Sequence, residues 1–499
     1  MNILSLFVII PVVMMVLLFL ENSKKAIRAT MATGSSLMVI LAFYIAYSFL
    51  TQRQAGADAA YLFTASQVWY QGFLNINYSV GIDGISVAML LLSSIVVMTG
   101  SFASFAIEDQ TKEYYLWFLM LSIGVFGFFI SINLFTMVLF YEVALIPMYL
   151  LIGHWGTGPK EYAAMKLTLM LMGGSAFLMV GVFGIYFHSA APGQPYTFEV
   201  QEIAKNLSLY MPINMQHVFF ALTFIGFGVL GAMFPFHTWS PDGHASAPTA
   251  VSMLHAGVLM KLGGYGCFRV AMCLMPQASD DLAWVFIILT GTSVFYGAYS
   301  ACVQNDLKYI NAYSSVSHCG MVLFALLMMN KTAMTGAFLQ MLSHGLMTAL
   351  FFCLIGSIYG RTHTRDIRLM GGMMKIMPVL GVCYVIAGLA SLGLPGLSGF
   401  VAEMNIFVGS FEHPDMFHRV FTILACTSIV ITAVYILRVV GKMLFGPVQD
   451  PHHLTLTDAV WWEKVAAFGL IISIAIIGLY PLWISNMIGN SLDAIVKLF

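Results

Sequence analysis

The sequence predicts an all-α, polytopic membrane protein of about 14 transmembrane helices, and three observations carry the prediction. Charged residues make up 9% of the 499, against roughly 25% in soluble domains, too few to cover a water-facing surface. Apolar runs of about 20 residues, the length that crosses a bilayer as a helix, recur along almost the whole chain. Proline and glycine interrupt two of these runs, and freed backbone groups at membrane depth need a protein-lined, hydrated cavity.

Taken in order, residues 3–20 are apolar but lack a basic leading segment and a small-residue cleavage site, so they read as a retained first helix. Spans follow near 28–50, 84–107, 114–130, 132–153 and 162–188. The seventh, 216–236, is interrupted by Pro235. Then come 247–274, 282–303, 308–329 and 333–358. The twelfth run, 376–410, is too long for one crossing and holds Leu394-Pro395-Gly396, which predicts two half-helices. Spans at 417–445 and 463–486 complete the set. The longest connections, 51–83 and 188–215, leave no room for a soluble domain.

Basic residues orient the bundle. Lys24, Lys25, Arg28, Lys112, Lys160, Lys308, Arg361, Arg365, Arg368, Lys375, Arg438, Lys442 and Lys464 fall at odd-to-even connections. Chiefly Arg53, Lys205, Lys331, Arg419 and Lys497 fall on the other side. Both termini are therefore expected on the non-cytoplasmic side of a bacterial cytoplasmic membrane or an equivalent energy-transducing membrane. Breaks five helices apart suggest two inverted repeats. The expected division is 1–110 for helices 1–3, 111–275 and 276–446 for the repeats, and 447–499 for the last helix.

A net charge of −1 gives no sign of nucleic acid as a partner, leaving lipid and other membrane chains. The seven cysteines are scattered without a Cys-x-x-Cys pair, which points to small core hydrophobes rather than a cluster or zinc site. Gly226–Gly231 formally matches a dinucleotide-binding glycine pattern, but inside an apolar span it reads as close helix packing. His237, Asp242 and His244, like His452 and His453, lack metal-site spacing on a regular element, so no metal is expected.

Ionisable groups deep in such spans cost about 2.5–3.5 kcal/mol each at the helix centre and are functional candidates by default. Glu142, Lys261 and Glu403 stand out, and His255, His318 and His344 add titratable groups at mid-helix depth. The plain alternatives are packing histidines and a static buried ion pair. Six such groups in one bundle favour a hydrated ion path. Burial opposes the charged form of a lysine while a nearby carboxylate supports it, so a coupled chain can load and release a proton.

The stretch FPFHTWSPDGHASAPTAVSMLHAGVLMKLGGYG (234–266) resembles the signature of the antiporter-like membrane subunits of respiratory complex I. LFYEVALIPMYLLIGHWG (139–156), NAYSSVSHCGM (311–321) and LGLPGLSGFVAEM (392–404) match the same family at the expected intervals. Glu403, and the absence of a long lateral C-terminal helix, make the chain resemble the M-type (mitochondrial chain 4) branch. The resemblance implies a proton-translocating subunit that holds no cofactor. FMN, iron–sulfur clusters and quinone would lie in partner subunits, and the neighbours would be other antiporter-like chains.

By motif, Glu142 resembles the helix 5 carboxylate, Lys261 the central helix 8 lysine and Glu403 the helix 12 carboxylate. His318 and His344 look like the links between the last two. Lys166, in EYAAMKLTLM, His255 and His237 are secondary candidates. Lys166 also reads as a lysine snorkelling to the membrane surface.

One position departs from the family pattern. The residue five before the proline of Pro-Phe-His is usually lysine, the ion-pair partner of the helix 5 glutamate; here it is Leu230. No Lys or Arg occurs from 206 to 260, so no offset lysine replaces it. Two other readings therefore stand beside a complex I subunit. One is a subunit of a multisubunit cation/proton antiporter or membrane-bound hydrogenase. The other is a structural coupling subunit with impaired conduction.

Overall fold

Long apolar runs close all their backbone hydrogen bonds internally as helices, and the computed structural model, which describes residues 2–191 and 193–499, is built on that constraint. In order the helices are α1 (Leu6–Leu20), α2 (Lys24–Gln54), α3 (Gly84–Ala103), α4 (Thr111–Ile130), α5 (Leu134–Trp155), α6 (Lys160–Tyr186), α7 (Val200–Tyr210), α8 (Ile213–Leu230), α9 (Trp239–Ser246) and α10 (Thr249–Leu254). They continue as α11 (Met260–Gly266), α12 (Pro276–Val303), α13 (Leu307–Leu326), α14 (Lys331–Thr362), α15 (Met373–Ile376), α16 (Pro378–Ser391), α17 (Ser398–Glu412), α18 (Met416–Leu444), α19 (Trp461–Leu479) and α20 (Leu482–Leu492). Polar residues at the span starts act as N-caps. Asn133 accepts from the amides of Phe135 and Thr136, Asp306 from those of Lys308 and Tyr309, and Asn330 from Ala333.

Eleven helices among the described residues are long and apolar enough to cross a membrane singly. The other expected spans, 247–274, 308–329 and 376–410, correspond to an interrupted helix, to the more polar α13 and to a broken pair. Large apolar side chains on the outer faces of α1, α2, α8 and α18 (Leu20, Tyr47, Val218, Val430) are exposed, as lipid contact requires, while α3 and α14 are almost wholly enclosed.

Both predicted breaks are present. α8 ends at Leu230, five residues before Pro235, and α9 resumes at Trp239. The gap is stitched by Trp239 Nε1 donating to Val229 O (3.0 Å) and Phe234 N donating to Ser293 Oγ (2.7 Å). The twelfth run divides into α16 and α17 around Leu394-Pro395-Gly396. The eighth run is helical throughout but alternates. α10 passes into a π-helical segment (His255–Leu259), then α11, then a second π-helical segment (Cys267–Met272). Gly226 lies against Gly174 and Leu178 of α6, so the glycine pattern in α8 serves helix packing.

Four expectations need correction. Connection 51–83 contains an antiparallel hairpin, β1 (Leu62–Gln71) and β2 (Asn75–Ile82), paired from Leu62↔Ile82 to Gln71↔Asn75 with register shifts between Leu62 and Ala65 and between Val68 and Tyr70. A search for 20-residue apolar runs passes over such short segments, rich in aromatic and β-branched residues. Connection 188–215 holds the amphipathic α7. The last run stops at Tyr480, because Pro481 begins a separate helix, α20. Lys308, counted above as a connection residue, sits inside α13 at 3% exposure.

The basic connections meet at one end of the bundle. There Lys24 and Arg28 bind Glu108 (3.1 and 3.3 Å), Thr157 N donates to Ser246 O (2.8 Å), Arg361 pairs with Glu463 (2.6 Å) and Arg365 with Asp306 (3.0 Å). Outside the spans, the hydrogen bond from Lys24 and the adjacent Arg28 hold the Glu108 carboxyl below the usual carboxylate range. The hairpin lies at the opposite end.

Candidate functional site

Lys261 sits on α11 between the two π-helical segments and is 2% exposed. Gly263, two residues on, packs directly on the backbone of Phe227 and Gly231, where a β-carbon would collide, which draws α11 tight against the end of α8. Lys261 Nζ donates to Ala256 O at 2.5 Å and lies 2.7 Å from His344 Nδ1 on α14. The His344 ring is 5.2 Å, centroid to centroid, from that of His318 on α13. His318 Nδ1 in turn accepts from Gln340 Nε2 at 2.9 Å. The result is a polar string, Lys261–His344–His318–Gln340, hydrogen-bonded at both ends and joined between the two imidazoles by ring contact alone.

The string is not fully satisfied. His344 Nε2, His318 Nε2 and Gln340 Oε1 are buried without a partner among the described residues. Unpaired polar atoms in a dry interior cost about 1–3 kcal/mol each, and small buried waters are the usual remedy. A cavity of about 10 Å³, room for roughly one water, adjoins Lys261, Gly231 and Cys319.

Glu403 lies on α17 just past the second break, 7% exposed. A β-carbon at Gly393 would fall 2.5 Å from Glu403 Oε2, so this glycine, at φ 62°, makes room for the carboxyl as well as the turn. Glu403 makes no hydrogen bond with Gln340 or His318; it stands apart from the string.

Glu142, on α5, is half-buried, and its Oε1 has no partner. Leu230, at the end of α8, is fully buried. Among the described residues none of Glu142, Lys261 and Glu403 forms an ion pair, so the static-pair alternative finds no support.

The secondary candidates scatter. Lys166 lies outside the string. It pairs with Asp242 at 2.7 Å, and Tyr309 Oη donates to the same carboxylate at 3.0 Å, tying α6 and α13 to α9. His237 stacks on Phe234 and meets Tyr296 edge-on, away from Lys261's partners. His255 is fully buried, stacked on Trp239, and lies 4.4 Å, centroid to centroid, from His244.

Sequence reasoning missed Gln340, one helical turn before His344 and therefore on its face. It missed the buried pair of Arg269 with Asp83, flanked by Tyr265 and Tyr61. Arg269 lies two turns beyond Lys261, a spacing that could have flagged it. It also missed that Lys308 is enclosed.

Residues 131–432 match the family described as "NADH:quinone oxidoreductase/Mrp antiporter, TM". NADH-quinone oxidoreductase subunit M of Rickettsia bellii (strain RML369-C) is 33% identical over 501 residues, covering 100% of this chain and 99% of the relative. NAD(P)H-quinone oxidoreductase chain 4-2 of Synechocystis sp. is 37% identical over 381 residues, 76% of this chain and 67% of that one. A chain of the respiratory complex I from Thermus thermophilus with bound NADH shares the fold, with a TM-score of 0.88, 24% identity and 99% of both chains covered. So does a chain of the membrane-bound sulfane sulfur reductase, an archaeal respiratory membrane complex, at TM-score 0.86 and 20% identity, covering 97% of this chain and 77% of that one.

Proposed function

This chain belongs to the NADH:quinone oxidoreductase/Mrp antiporter family of transmembrane proteins, and from that premise we propose that it is a non-redox, proton-translocating subunit of the membrane arm of a complex I-type quinone oxidoreductase. The observation that carries the proposal is the buried string Lys261–His344–His318–Gln340, which spans three helices with no counter-charge. A lysine without a carboxylate holds a proton that a neutral imidazole at 2.7 Å can take.

In this reading Lys261 stores the proton, His344 and His318 pass it on, and Glu403 releases it beside the second break. Glu142 receives the signal of a neighbouring subunit. Electron transfer, with its FMN, iron–sulfur clusters and quinone, belongs to partner subunits, and quinone reduction there drives the movement here. The flanking partners are other antiporter-like chains and lipid. Residues 111–275 and 276–446 act as two inverted repeats, each with one broken helix. The membrane is a bacterial cytoplasmic or equivalent energy-transducing one, with both chain ends on the side away from the basic connections.

The test is purification of the intact assembly, followed by proton pumping in vesicles. Flavin and iron–sulfur subunits should co-purify, and Lys261→Ala should leave assembly intact while proton flux collapses. An assembled Lys261→Ala complex with full flux removes the storage role. Copurification with antiporter or hydrogenase subunits instead would move the chain to that branch. Leu230 and the unpaired Glu142 favour a second reading, a coupling subunit that no longer conducts; it requires that no variant of this chain changes the protons moved per electron pair.

A further inference from the structure

The second imidazole of the string bonds to one side chain among the described residues, and that side chain is an amide. His318 is 3% exposed; its Nδ1 lies 2.9 Å from Gln340 Nε2, and its own Nε2 has no partner. An amide nitrogen donates and does not accept, so His318 Nδ1 is the acceptor and the neutral ring carries its hydrogen on Nε2. His344 is fixed in the same way. A charged lysine only donates, so His344 Nδ1 accepts from Lys261 Nζ and the hydrogen of that ring is on Nε2, also without a partner. The rings stand 5.2 Å apart and are inclined at 32°, yet neither has a free acceptor nitrogen for a proton from the other.

Gln340 can change this. It is 2% exposed, one turn before His344 on α14, and its Oε1 is buried without a partner among the described residues. No second hydrogen bond therefore pins the amide in one setting. A half-turn about its last bond presents Oε1 to His318 Nδ1 and leaves Nε2 bare instead, with one hydrogen bond to the ring before and after. An acceptor facing Nδ1 requires the other tautomer of His318, with its hydrogen on Nδ1 and its Nε2 open.

Resting on the proton-translocating reading above, we propose that Gln340 is a positioning residue that sets the tautomer of His318 and thereby gates the string. With amide nitrogen presented the string is closed; with amide oxygen presented it is open. In the open setting Lys261 gives a proton to His344 Nδ1 and becomes neutral. His344 gives its Nε2 proton to His318 Nε2, and His318 becomes an imidazolium donating from Nδ1 to Gln340 Oε1. One positive charge has moved from Lys261 to His318, and no further reactant is needed. In the closed setting His318 Nε2 already carries a hydrogen, so the proton stays on Lys261. Such a gate lets Lys261 hold a proton until release is driven, which a permanently open string cannot do. The rival is a packing role, in which Gln340 fills space between α13 and α14.

Two substitutions separate these roles in the assembled complex, measured as proton flux in vesicles per amount of complex, beside electron transfer with uncoupler present. Gln340→Met keeps the length but offers the ring no donor and only a weak acceptor sulfur. Gln340→Glu donates as an acid and accepts as a carboxylate, so it keeps the choice while adding a buried charge. Packing predicts that the methionine is benign and the glutamate damaging. Tautomer control predicts the reverse: flux falls at least about tenfold in Gln340→Met and stays within about threefold in Gln340→Glu, with uncoupled electron transfer normal in both. Full flux in Gln340→Met overturns the gate. If both variants lose flux, or the methionine variant fails to assemble, nitrogen NMR of the complex with labelled histidine decides. The wild-type His318 ring should carry its hydrogen on Nε2, and the Gln340→Glu ring should carry one on Nδ1; the same tautomer in both overturns the gate. Lys261→Ala distinguishes the two levels. If it abolishes flux while Gln340→Met does not, only the gate falls; if it keeps full flux, the translocation reading falls and the gate with it.

Discussion

Around Lys261, four polar side chains from three helices stand in one string; around Glu142, a half-buried carboxyl faces no cation, and the position that family resemblance assigns to its partner holds Leu230. Yet the broken helix beside Leu230 keeps its shape. Trp239 bonds across it to Val229, Phe234 in the gap bonds to Ser293 of α12, and Asp242 of α9 is tethered to Lys166 of α6 and Tyr309 of α13. The contrast teaches that the break and the charge it usually carries are separable. The break is held by neutral hydrogen bonds and a peripheral ion pair, so a lysine can be lost from position 230 without loss of architecture.

The largest effect expected from this contrast is at Lys261. Lys261→Ala, in an assembled complex, should lower proton flux by at least about 100-fold, the lower end of the range for a proton-transfer group. Glu403→Gln keeps the shape beside Gly393 but cannot ionise, and should cost about tenfold in flux with little change in complex abundance. Glu142→Gln should be milder, within about threefold, or less than about 1 kcal/mol of barrier, because no buried cation is left unpaired. A Glu142→Gln complex as inactive as Lys261→Ala would break the comparison. The smallest effect is expected from Leu230→Lys, which restores the missing charge. Infrared difference spectra should then show Glu142 as an ionised, paired carboxylate, with flux changed less than about twofold. An unchanged carboxyl band would mean that the two positions do not meet.

Much of this was legible in the chain. Apolar run length gave the spans, Pro235 and Leu394-Pro395-Gly396 gave the breaks, and lone charges in apolar surroundings gave Glu142, Lys261 and Glu403. Those signals are local, a single residue type against a uniform background. What escaped notice depends on two segments meeting. Gln340 is one of many polar residues until α13 brings His318 to it. Lys308 looks like a connection lysine until α9 covers it with the carbonyl of Ala247. Asp83 and Arg269 lie far apart in sequence and become a buried pair only because the second π-helical segment turns Arg269 toward the start of α3. The hairpin was missed for a different reason: its signal has a period of two residues, and the search was for longer runs.

The π-helical segments on either side of Lys261 have a consequence for how this stretch tolerates change in length. Each is a turn that accommodates an extra residue relative to α geometry, and such turns recur at functional sites. Most single substitutions within 255–272 alter packing and leave the angular position of the lysine alone. Removing one residue from His255–Leu259 lets the turn relax to ordinary α winding and leaves the helix beyond at about the same angle, whereas removing one from the α-helical Met260–Gly266 swings everything beyond it by about 100° around the axis. Lys261 would then keep its side of the helix, facing His344, after a deletion in His255–Leu259. The π-helical turn, like the connection ahead of the hairpin, can thus absorb the loss of one residue that an ordinary α turn of the same span cannot.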